Sequence, residues 1–211
     1  MKPLKVHEST NYHPHALSRF NSDTTEHQME ILLDQGLYRH LRFKKPGTGM
    51  YYFDLITSPG LLTIRADMGT YVFSRVEDMF EFFTGNGYVN AGYWGEKLQA
   101  TDSAGYRQHD EDLFKKWLIQ YFWENRDQYE LEDARSIWEA IRRDILSDYE
   151  WRGSSEACRS LIDSFRECGF EFGESWELNW DDYTFHYLWC CHAILAGIRD
   201  YRAYKAADDA A

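Results

Sequence analysis

The sequence predicts an α+β fold: an N-terminal antiparallel β-meander of four to five strands packed against a C-terminal set of about five helices. Three features predict it. Apolar and polar residues alternate with a period of two between residues 28 and 75, turn chemistry separates the alternating runs, and the period becomes helical beyond residue 76.

The alternating runs are Gln28–Asp34, Leu37–Phe43, Tyr51–Thr57, Leu61–Asp67 and Tyr71–Arg75. Between them stand Gln35-Gly36, Pro46-Gly47-Thr48-Gly49, Ser58-Pro59-Gly60 and Met68-Gly69, residue types that reverse a chain at little steric cost. Ser74-Arg75-Val76-Glu77 fits a capping box, so a helix is expected to start there and stop near Gly85 and Gly87. Val76, Met79, Phe80 and Phe83 would be its sheet-facing side. Asn90–Gln99 reads as a loop.

From Asp110 the apolar spacing is that of helices. Leu113, Trp117, Ile119, Tyr121 and Phe122 mark one, and Ile137, Trp138, Ile141, Ile145 and Leu146 the next. Ser154 or Ser155 caps a third, with Cys158, Leu161, Ile162 and Phe165 as its stripe and Gly169 as its left-handed C-terminal residue. A short strand is expected at Phe170–Phe172. Asp181 and Asp182 would open a last helix, apolar on more than one side and so central to the bundle.

No Pro/Gly/Ser-rich linker interrupts the chain, so one domain is expected over 27–205, sheet to residue 75 and helices from 76. Residues 1–26 read as a flexible arm and 206–211 as a disordered tail. Tyr183–Ile198, the longest apolar window, is shorter than the ~20 residues a bilayer crossing needs. Four cysteines without a signal-peptide pattern suit free thiols in a reducing cytoplasm. The net charge is −12: residues 1–100 hold 11 acidic and 10 basic side chains, residues 101–211 hold 24 and 13. Such an acidic half repels nucleic-acid phosphates and attracts basic surfaces, which argues against direct nucleic-acid binding.

The blocks YRHLRFKKPGTGMYYFDLITSPG, LLTIRADMGTYVFSRVEDMFEFF, NAGYWGEKLQA and DYTFHYLWCCHAILAGI span most of residues 37–198. They resemble a family of uncharacterised tailed-bacteriophage proteins. The resemblance implies a phage- or prophage-borne accessory protein of the host bacterial cytoplasm, a class that includes inhibitors of bacterial defence such as anti-CRISPR proteins. It carries no catalytic residue and no cofactor.

Three constellations remain. If the large apolar residues of each strand face the helices, the other face of the sheet carries Tyr38, His40, Arg42, Tyr52, Asp54, Thr63, Arg65 and Asp67. His40, Arg42, Asp54 and Arg65 could then serve a nucleotide or phosphoester reaction, or simply form ion pairs on a solvated face. His186 and Cys190, with Cys191, His192, Cys158 and Cys168, could surround zinc, but paired C-x-x-C knuckles are missing and core packing is expected instead, with no metal and no cofactor. The third is acidic: Asp110, Glu111 and Asp112; Glu130, Glu132 and Asp133; Glu171, Glu174, Glu177, Asp181 and Asp182. Carboxylates on rigid helices can imitate phosphate spacing and occupy another protein's basic channel, a DNA mimic in effect; equally, several sit where helices begin. The expected function is inhibition of a host defence or nucleic-acid-handling complex through this acidic surface. The alternatives are an enzyme of the sheet face and a structural homodimer formed through exposed aromatics.

Overall fold

The computed structural model describes residues 14–85, 87–147, 153–173 and 175–210. The chain is α+β, with an antiparallel sheet in its N-terminal half and helices dominating its C-terminal half. Five meander strands lie in the order β1 (Gln28–Gln35), β2 (Tyr38–Lys44), β3 (Phe53–Ser58), β4 (Leu61–Ala66) and β5 (Gly69–Ser74). A sixth, β6 (Leu98–Thr101), pairs with β5 and begins within the segment read as a loop. Its signal is weak because three of its four residues are exposed, leaving no alternation to detect.

Packing divides the chain into two compact units, one from Met1–Tyr106 with Tyr183–Ala211, the other Arg107–Asp182. This differs from a division at residue 76. The last helix, α7 (Phe185–Asp208), belongs with the sheet and not with a helical bundle. Leu41, Phe43, Phe53, Leu55, Leu62 and Ile64 point from one sheet face into a core closed by Trp189, Cys190, Ile194 and Ile198 of α7. Burying each such large side chain contributes about 1.5–3 kcal/mol. Glycine lets the layers approach: a Cβ on Gly197 would lie 2.6 Å from Leu55 Cδ1. Thr184 caps α7 by accepting from the Tyr187 amide, so Asp181 and Asp182 do not open it.

Two further expectations are corrected in this unit. The arm contains α1 (Pro14–Thr24), whose Ala16 and Phe20 are buried; Phe20 meets Trp189 edge-on at 5.1 Å and the Trp189 indole donates to Asp23. Two buried residues one helical turn apart are too short a stripe to stand out in a polar stretch. The capping box is also displaced. Ser74 is spent in the β4–β5 ladder opposite Leu61, and Asp78 caps the short α2 (Met79–Thr84) by accepting from the Phe80 amide at 3.0 Å. Arg39 grips both Asp78 oxygens at 2.9 and 3.0 Å, and Val76 is exposed. Another short helix, α3 (Ala91–Gly95), precedes β6. At the other end, residues 206–208 of the expected tail are helical.

The second unit packs α4 (Glu111–Asn125), α5 (Leu131–Ala140) and α6 (Ser155–Ser164) around its own aromatic core. Phe114, Leu118 and Phe122 form the buried stripe of α4, one position away from the expected Leu113 and Trp117, while Ile119 is exposed. The helix continues from α5 into a wider π-helical segment, Ile141–Leu146, with Ile137, Ile141 and Ile145 buried. Ser154 caps α6 as expected, accepting from Ala157. Cys168 and Gly169, both with positive φ, turn the chain between Glu167 and Phe170, which pair as a single bridge and not as a strand. Strands β7 (Arg107–His109) and β8 (Asp181–Tyr183) close the unit as a small sheet.

Candidate functional site

The polar face of the meander gathers its charges on one carboxylate. Asp54 on β3 lies opposite Arg42 on β2 and Arg65 on β4, so register alone delivers two guanidinium groups to it. Arg42 donates through Nε and Nη2 at 2.8 and 2.9 Å, Arg65 through Nη2 at 2.8 Å, and His40 Nε2 stands 3.2 Å away. Burial pushes the Asp54 carboxyl up, but the hydrogen bonds from Arg42 and His40 and their charges outweigh it and hold it below the ordinary carboxylate range. An ionised carboxylate only accepts, which makes Nε2 the protonated nitrogen of His40.

The sequence therefore names all four members of a real cluster. Their chemistry is that of a hub. The Asp54 side chain is fully buried and committed to three partners, so it has no spare oxygen with which to take a substrate proton. What the cluster offers outward is cationic: Arg65 is half exposed, and Arg42, Lys44, Tyr52 and the Gly47–Gly49 loop line a shallow concavity of about 410 Å³.

The cysteines and histidines weighed for zinc do not come together in one site. His186 is exposed, whereas Cys190 and Cys191 are buried in the sheet core, so i,i+4 spacing brings no shared site. No group of three or more His, Cys, Asp or Glu among the described residues is arranged to hold a metal ion.

The acidic residues divide by role. Asp110 caps α4 by accepting from the Asp112 and Leu113 amides at 2.8 and 3.0 Å, and Glu111 and Asp112 pair with Lys115. Glu171 pairs with Arg166 at 3.0 Å. Asp182 is buried, which removes it from any docking surface, and Asp181 is held inside β8 by Ser155. Glu174 lies outside the described residues. Glu130, Glu132, Asp133 and Glu177 are exposed and make no ion pair among the described residues. The unit Arg107–Asp182 holds 20 acidic and 10 basic side chains, so it carries −10 of the chain's −12. Within it, Glu156, Asp163, Glu177 and Asp181, with Arg159 as the one cation among them, line a concavity of about 580 Å³ beside the exposed indole of Trp176.

Sequence reasoning missed a polar cluster in the same unit. Ser155 Oγ donates to Asp181 Oδ1 at 2.7 Å, accepts from the Trp180 amide at 3.1 Å and lies 3.3 Å from His109 Nδ1. Cys158 Sγ stands 3.6 Å from His109 Nε2. These residue types suggest nucleophilic catalysis, but the order is wrong for it. The serine proton is committed to Asp181 and not to the histidine, and burial pushes the Cys158 thiol up to about 12. The cluster ties β7, β8 and α6 together. Nothing in the spacing of residues 109, 155 and 181 announces it, because the β7–β8 pairing creates it.

No protein-family model, curated protein or solved structure matches the chain significantly. No described helix is long and apolar enough to cross a membrane.

Proposed function

We propose that the protein is a binding protein that docks its acidic unit on a basic, nucleic-acid-binding surface of another protein. The observation that supports this most is the concentration of charge: −10 of −12 falls in one compact unit, with Glu130, Glu132 and Asp133 exposed at the start of α5. The acid-lined concavity gives that surface a place for a cationic side chain, where Trp176 can stack on an arginine. Exposed tryptophan beside charge is the composition of an interface anchor.

On the resemblance to phage proteins, the target is a host defence or nucleic-acid-handling complex and the setting is the bacterial cytoplasm. The test is protection of phage in a host with an active defence system. Reversal of Glu130, Glu132 and Asp133 together to lysine should abolish protection, while His40→Ala should preserve it. The opposite pattern would overturn this reading in favour of a second one, an enzyme acting on a nucleotide or phosphoester. That second reading is favoured by one observation, the cationic concavity beside Arg42 and Lys44.

A further inference from the structure

The sheet unit contains a second kind of concavity. Leu17 and Phe20 of α1, Val89 from the chain after α2, and Leu195 and Ala196 of α7 enclose a pocket of about 560 Å³. It is more enclosed and more apolar than the two charged concavities, and its size falls in the range of small-molecule sites. Its polar lining side chains are Asn21, Thr84, Tyr88, His192 and Arg199. His192 lines the wall, half-buried, its ring 6.4 Å from that of Phe20, and it has no hydrogen-bond partner among the described residues. Arg199, one helical turn after Leu195 and Ala196, lines the pocket and is exposed to solvent. Its Nε and Nη2 both meet Asp200 Oδ1 at 2.9 Å, and Nη1 is left off that carboxylate.

We propose that this pocket binds a small amphipathic carboxylate, its apolar body among Leu17, Phe20, Val89 and Leu195 and its carboxylate at Arg199. A mostly apolar wall, with only Asn21, Thr84 and Tyr88 as further polar side chains, disfavours a nucleotide or sugar, many of whose polar groups would be left without partners. A cation at the mouth selects an anionic head over a neutral one. His192 faces Phe20, Leu195 and Ala196, and burial holds it neutral, its pKa lowered to about 4. It therefore adds a hydrogen-bonding group without adding a second charge.

The site is built from residues of the sheet unit and shares none with the acidic surface proposed to dock a partner, so either can fail alone. The test is calorimetric titration of the full chain with decanoate and with decanol, beside methyl NMR spectra of the same protein. Decanoate should saturate at one equivalent, shift the methyl signals of Leu17, Val89 and Leu195, and bind more tightly than decanol. Ala196→Phe, which fills the pocket, should weaken decanoate by about tenfold or more, the order expected when an apolar subsite is lost. Arg199→Gln should remove the preference for decanoate over decanol while leaving decanol unchanged. Absence of saturation, shifts confined to other methyl groups, or equal binding of the two probes to the unmodified chain would overturn the proposal. Should Ala196→Phe fail to fold, the methyl shifts of the unmodified chain still decide it.

Discussion

Asp54 and Arg65 stand directly opposite in neighbouring strands, with Arg65 Nη2 2.8 Å from Asp54 Oδ2. Arg42 completes the arrangement from the other side at 2.8 and 2.9 Å, so a single buried carboxylate joins three adjacent strands of the meander. Removing a buried partner costs more than the pair contributes, because the remaining charges lose their counter-ion. Arg42 and Arg65 keep contact with water, which reduces that cost. Asp54→Ala is expected to destabilise the protein by roughly 1–3 kcal/mol in chemical denaturation, at the lower end for a broken ion-pair network. Arg65→Ala, on the most exposed partner, should cost less than half as much.

Acid should destabilise the sheet unit over two pH ranges. The Asp54 carboxyl is lowered from its ordinary value of 3.8, so the stability it contributes is complete above that value and is lost as pH falls through the lower folded value. His192 is lowered from 6.5 to about 4. The unfolded chain binds its proton first, so stability declines as pH falls from 6.5 toward 4, with a slope of at most about 1.4 kcal/mol per pH unit. Replacing His192 by phenylalanine should flatten the denaturation midpoint across that window and leave the Asp54 range in place.

Gly197→Val should destabilise by overpacking. The added Cβ meets Leu55 Cδ1 at 2.6 Å and the Phe43 ring at 3.1 Å, so α7 must lift from the sheet or both side chains must leave their positions. A loss of about 1–3 kcal/mol is expected in thermal or urea denaturation. A neutral result would mean that α7 shifts freely over the sheet.

Thiol reactivity should separate the four cysteines. Cys158, Cys190 and Cys191 are buried and Cys168 is exposed in its turn, so a disulfide reagent should titrate one thiol in the folded protein and four in denaturant. The native reaction should be slow, since what desolvation there is and the neighbouring Glu167 carboxylate raise the Cys168 thiol above its ordinary value.

Binding through the acidic unit should weaken with salt, because exposed charges are screened. Each single reversal, Asp133→Lys for example, should slow association several-fold, while reversing Glu130, Glu132 and Asp133 together should cost about 1–3 kcal/mol. Stopped-flow association at two ionic strengths checks both. Affinity that is independent of salt would remove electrostatics from the interaction.

The sequence by itself determined the meander, its turns and the four residues around Asp54. Strand periodicity is strictly two, so once Leu41, Phe43, Phe53 and Leu55 go to the core, His40, Arg42 and Asp54 must share the other face. Turn residues then set the register that places them opposite one another. The ends of elements were less legible: Ser74 and Asp78 both carry capping chemistry, and only the β4–β5 ladder and the Arg39 pair decide between them. Tertiary structure alone decided what lies far apart in sequence. It paired α7 with the sheet, buried Asp182 while leaving Glu132 exposed, and brought residues 109, 155 and 181 together. It also formed the pocket between α1 and α7. A residue's own neighbours report its local period and propensity, but burial and long-range pairing depend on which distant element covers it.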